Sequence, residues 1–151
     1  MNEAHLHLLL NHTPILGCLF GLAVLGWGLW KVNPTVIRTG LVALLVAAGL
    51  CLPTQLTGEG AEEVLRQLPG FSRELVHAHE EAAELGFWML ELTGVGALLA
   101  LLMPERQRLL AFLTLAGAVV SFLLLARAGN LGGQISHPEA RPGFAAPAGA
   151  R

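Results

Sequence analysis

The chain has no aspartate, no tyrosine, one lysine, and no basic residue before Lys31. Charged residues make up 13%, against about 25% in a soluble domain. Each scarcity excludes something. No basic patch exists to recruit nucleic acid, so none is expected as a partner. No basic residue precedes the first apolar run and no small-x-small site follows it, so a cleaved signal peptide is not expected and that run reads as a retained helix. The two cysteines, Cys18 and Cys51, lie inside apolar runs with nothing like zinc-knuckle spacing. They read as small hydrophobic residues in helices, with a disulfide or soft-metal role as the alternative. No nucleophile–base pair, phosphate loop or nucleotide fingerprint is visible, which argues against a conventional hydrolase or kinase.

What is present is apolar. Hydrophobic residues make up 54% of the 151 positions and fall in long unbroken runs, the composition of a membrane protein of one domain. Crossing the hydrocarbon core takes roughly 20 residues of helix, and four segments approach that length. The first, 14–30, opens with Thr13-Pro14, a good N-cap followed by proline at the first helical position. The second spans 36–52 and ends near Pro53, and the third spans 82–103 and stops at Pro104. The fourth spans 109–128 and is expected to end in the cap Gly129-Asn130. The expected fold is all-α: an integral membrane four-helix bundle over residues 1–137, with an N-terminal arm and a helical loop at 57–81. The tail 138–151, rich in Ala, Pro, Gly and Arg, is expected to be disordered. In the loop, a short amphipathic helix over 60–68 would carry a Glu62/Arg66 ion pair at helical spacing.

The loops also orient the chain. Loops one and three carry Lys31, Arg38, Arg106 and Arg108, whereas loop two is rich in Glu and the N-terminal arm has no Lys or Arg. The positive-inside rule therefore places both termini and loop two on the extracytoplasmic side, with Trp27 and Trp30 in the cytoplasmic aromatic belt. The three arginines of the C-terminal region weaken this bias without reversing it.

On that topology every histidine falls at the outer end. His5, His7 and His12 precede span one, His77 and His79 lead into span three, and His137 follows span four. Such clusters ligate metals, ligate haem axially, or move protons. His79 shares a stripe with Ala82, Ala83, Gly86, Thr93, Gly94 and Ala97, the small-residue face that packs against other helices or a flat cofactor. His77 lies roughly 200° around the helix, on the face of Glu81, Glu84 and Glu91, so His79 is the preferred ligand. His12 sits at the entrance to span one, and the paired glycines before His137 are expected to fold the tail back over the bundle mouth. His12, His79 and His137 are therefore the candidate ligands, with His5, His7, His77, Glu59, Glu80, Arg127 and Asn130 as supporting or alternative groups. Glu91 lies near mid-membrane, where charge is costly, and with Glu84 it forms either a proton path or a polar packing point. Arg127 reaches lipid phosphate by default, with Glu80, Glu81 or a cofactor propionate as alternatives.

The stretches NHTPILG, TGEGAEEV, HAHEEAAELGFW and ARAGNLGGQISHPE, in that order, resemble a bacterial family of small four-span membrane proteins of unknown function. The resemblance runs over roughly residues 5 to 139 and implies the bacterial cytoplasmic (inner) membrane as location. Carried over residue by residue, it singles out His12, Pro14, Gly58, Glu59, Glu62, His79, Glu80, Gly132, Gly133, His137 and Pro138.

Three functions compete. The first is b-type haem binding on histidines such as His12 and His79, with Arg127 or Asn130 on the propionates and electrons passing between quinone and a periplasmic redox protein. The second is a copper, zinc or iron site of His12, His79 and His137 with Glu80 or Glu59. The third is a non-catalytic structural or assembly subunit. A GxxxG motif at Gly17 and Gly21 offers a homodimer face.

Overall fold

A computed structural model describes residues 3–67 and 71–144. All regular structure among them is helical: α1 (Glu3–Leu10), α2 (His12–Trp30), α3 (Pro34–Leu56), α4 (Gly58–Leu65), α5 (Arg73–Leu102) and α6 (Gln107–Ser136), with 3-10 turns at Pro104–Arg106 and Pro138–Ala140. The four long helices are long and apolar enough to cross a membrane. They form a ring in which α2 packs on α3, α3 on α5, α5 on α6, and α6 back on α2. The chain runs up and down, so each helix lies antiparallel to its ring neighbours. One end of the bundle therefore gathers α1, the start of α2, the end of α3, α4, the start of α5 and the end of α6. All six histidines lie at that end.

Small residues set how closely the helices approach. A Cβ built on Gly40 would lie 2.5 Å from the Leu25 backbone nitrogen, and one on Gly28 would lie 2.7 Å from that of Ile37, so the α2 and α3 backbones touch. On the expected small-residue stripe of α5, Ala82, Gly86, Thr93, Gly94 and Ala97 are buried. Thr93 and Ser121 hydrogen-bond across the α5–α6 seam at 3.1 Å. Gly17 and Gly21 are used inside the chain, against Ala47 and Leu44 of α3. Cys18 and Cys51 are buried free thiols, which removes the disulfide alternative.

The helix boundaries correct several sequence expectations. Helix α2 begins at His12, not at Pro14, and the Thr13-Pro14 cap does not form; Asn11 holds the N-cap position without a side-chain hydrogen bond. Proline 14 lies within the first turn, where its missing N–H leaves the Leu10 carbonyl without its helical donor. The Thr54 hydroxyl donates to that carbonyl instead, at 3.4 Å. Pro53 does not end α3, because Thr54 and Thr57 extend the last turn by bonding back to the Leu50 and Pro53 carbonyls. Helix α5 starts nine residues earlier than composition suggested, at Arg73, capped by the Ser72 hydroxyl. Gly129-Asn130 does not cap α6, which continues through Gly129 and the Gly132-Gly133 pair to Ser136. Beyond it the tail is folded as far as residue 144: Arg141 turns back and donates through Nε to the Gln134 carbonyl at 2.8 Å. The rest of the expected disordered tail, 145–151, lies outside the described residues, as does the expected end of the loop helix at 68. That helix forms over Gly58–Leu65 with its ion pair, Arg66 to Glu62, at 2.8 Å.

Candidate functional site

The 30-residue helices α5 and α6 are about 45 Å long at about 1.5 Å per residue. They outreach a hydrocarbon core of about 30 Å by roughly three turns. The excess at the histidine-bearing end, together with α1 and α4, walls a cavity of about 1040 Å³, the upper end of the ligand-pocket range. Its lining includes His7, His12, His79 and His137, the acidic Glu59, Glu80 and Glu84, and Cys51 deeper in the bundle.

Two of these histidines are fixed in the same way. The His79 Nδ1–H donates to the Ala128 carbonyl of α6 at 2.8 Å. The His7 Nδ1–H is shared between the Thr54 carbonyl at 3.2 Å and the Thr57 hydroxyl oxygen at 3.1 Å. Because a carbonyl only accepts, each ring donates from Nδ1, which leaves Nε2 as the position for a ligand. A backbone carbonyl on Nδ1 is the usual partner of a histidine that ligates through Nε2. The two rings lie within electrostatic range of each other. Gly132 makes room for His79: a Cβ there would stand 3.2 Å from the imidazole Cε1. The Asn11 Oδ1, in the same wall, is buried with no hydrogen-bond partner among the described residues.

The other expected ligands fare differently. His12 lines the cavity, yet its side chain is exposed and also borders an apolar groove between α2 and α3. His137 is exposed and paired with Glu139 at 3.0 Å. That contact and the residue's own backbone N–H hold the Glu139 carboxyl below the usual carboxylate range. Among the described residues no three His, Cys, Asp or Glu side chains gather closely enough to hold a metal ion. The expected ion site of His12, His79 and His137 with Glu80 or Glu59 is therefore not assembled. His12 turns outward, His137 is drawn past the end of α6, and the Glu80 carboxyl meets Glu62.

His5 is exposed on α1, and His77 is exposed and paired with Glu81 at 3.4 Å. Arg127 and Asn130 are exposed and are not part of the cavity lining; the cationic group there is Arg66. Glu84 is on the cavity wall, and Glu91 lies deeper, with Oε1 buried and unpartnered among the described residues. Sequence reasoning ranked His7 only as a supporting group and missed Thr54 and Thr57. The legible signal was Pro14, whose free acceptor at Leu10 pulls the end of α3 against α1. Comparison with family models, curated proteins and solved structures returns no match.

Proposed function

We propose that this is a bacterial inner-membrane protein that binds haem b at the histidine-bearing end of its bundle, with that end on the extracytoplasmic side. His79 and His7 would hold the iron, each through Nε2. The observation that carries the reading is that these two imidazoles, on different helices, share one cavity with Nδ1 bound and Nε2 making no hydrogen bond to a described residue. Two fixed donors rather than three suit a metal whose other ligands come from its own macrocycle. The cavity volume, the glycine beside His79 and the unpartnered Asn11 oxygen are the further fit. When bound, haem supplies one-electron chemistry, here between a quinone and a periplasmic redox protein. The chain's own residues then do three things: the carbonyls of Thr54 and Ala128 aim the rings, α1 and α4 limit water, and Arg66 offers a donor to carboxylates. Membership in the four-span family that the motifs resemble belongs to the same proposal, since those motifs supply His79, Gly132, Glu59 and Glu80.

The test is an absorption spectrum of the protein purified from haem-replete cells. We expect a Soret band that shifts on dithionite reduction and is lost in His79→Ala, while His7→Ala alters its position. A colourless protein that also fails to bind added haemin overturns the reading and leaves a structural or assembly role.

A further inference from the structure

Helix α1 is attached to the bundle unlike any other wall of the cavity. None of its residues from Ala4 to Leu10 belongs to the buried core, and Leu8 and Leu9 are 53% and 59% exposed. Its partner α4 contributes only Ala61 to the buried set. At its C-terminal end the helical ladder is interrupted at Leu10 by Pro14, the ordinary cause of a kink. Helix α1 packs mainly on α4, which is itself peripheral, and side-chain contacts latch it to one turn at the end of α3: His7 on Thr54 and Thr57, and Thr54 on the Leu10 carbonyl. Segments with few buried apolar contacts open at much lower free energy than the core. His79, by contrast, stands on α5 and bonds to α6, and both helices run through the core.

We propose that α1 is a lid, hinged at the break between α1 and α2 where Pro14 leaves the Leu10 carbonyl without its helical donor, and latched to the Thr54–Thr57 turn, whose opening admits a ligand to the cavity. Opening carries His7 away and leaves His79 in place, so His7 is the exchangeable member of the pair. The lid rests on the cavity and the latch, and not on the identity of what fills the site.

The two cysteines report on it. Cys51 lines the cavity, whereas Cys18 is fully buried outside that lining and bonds to the Ala118 carbonyl. Full-length protein in detergent micelles is treated with N-ethylmaleimide, and each cysteine is followed by mass spectrometry. Removing both hydroxyls (Thr54→Ala with Thr57→Ala) is expected to speed Cys51 labelling several-fold with Cys18 unchanged, and Thr54→Ser with Thr57→Ser, which keeps both hydroxyls, to label at the original rate. No gain at Cys51 in a variant that keeps its helical circular dichroism overturns the lid, and so does an equal gain at both cysteines. If the double variant does not fold, hydrogen exchange of the unaltered protein decides. Amides of α1 should exchange many-fold faster than those of 76–82 in α5, which lie at the same end, and equal protection overturns the proposal. Selective Cys51 labelling in a protein without a Soret band would keep the lid and remove the haem reading.

Discussion

An alanine at position 40 would place its methyl 2.5 Å from the Leu25 nitrogen and 2.6 Å from its Cα. Those are backbone atoms of a packed helix, so no rotamer change relieves the contact. Gly40→Ala is expected to cost about 1–3 kcal/mol, the range of overpacked cores. Gly49, with nothing within 4 Å of its added Cβ, is the control: Gly49→Ala should be neutral or stabilising by up to about 1 kcal/mol, the helix-propensity difference. Reversible unfolding in mixed micelles measures both. At this scale the sequence was informative where a residue's size alone decides its place. The small-residue stripe of α5 was legible for that reason and is buried as a face. It was silent where a partner decides. Nothing in HLHLLLNH says that His7 will find the end of α3 while His12 turns to the surface, since that depends on a carbonyl 47 positions away.

The turn between α2 and α3 shows the same limit in an element. Val32 has φ of 50°, the left-handed region that a β-branched residue rarely occupies. It sits there because the helix ends in a Schellman cap: Asn33 N–H donates to the Gly28 carbonyl at 3.0 Å and Val32 N–H to that of Leu29 at 3.3 Å. Asparagine or glycine tolerates this conformation far better, and the side chain is 63% exposed. Val32→Asn is expected to stabilise the protein by about 1 kcal/mol, read as a higher midpoint in the same unfolding assay. The number of long helices was legible because hydrophobic length is counted in the sequence. Their ends were not. Polar HAHEE and the glycines of GNLGGQIS read as loop and cap, yet both continue helices beyond the apolar core, where neither charge nor glycine opposes a helix that packs on its neighbour.

For the whole molecule, the charge asymmetry of the loops yields an orientation with a direct test. Alkaline phosphatase joined after residue 144 should be active, and inserted in the 104–106 turn it should be inactive; the opposite pattern inverts the topology. The sequence by itself determined that the described residues are helical, with four helices long and apolar enough to cross a membrane, and it put six histidines beside the same ends of those helices. These properties are sums over local composition, and no partner residue alters them. Tertiary structure decided which histidines line one cavity and which atoms of the rings are engaged. It also decided that α1 lies on α4 and the end of α3, outside the buried core, while α5 and α6 run through that core. Those outcomes depend on close approach between helices distant in sequence, set by a missing proline N–H, a glycine opposite His79 and two threonines at the end of α3.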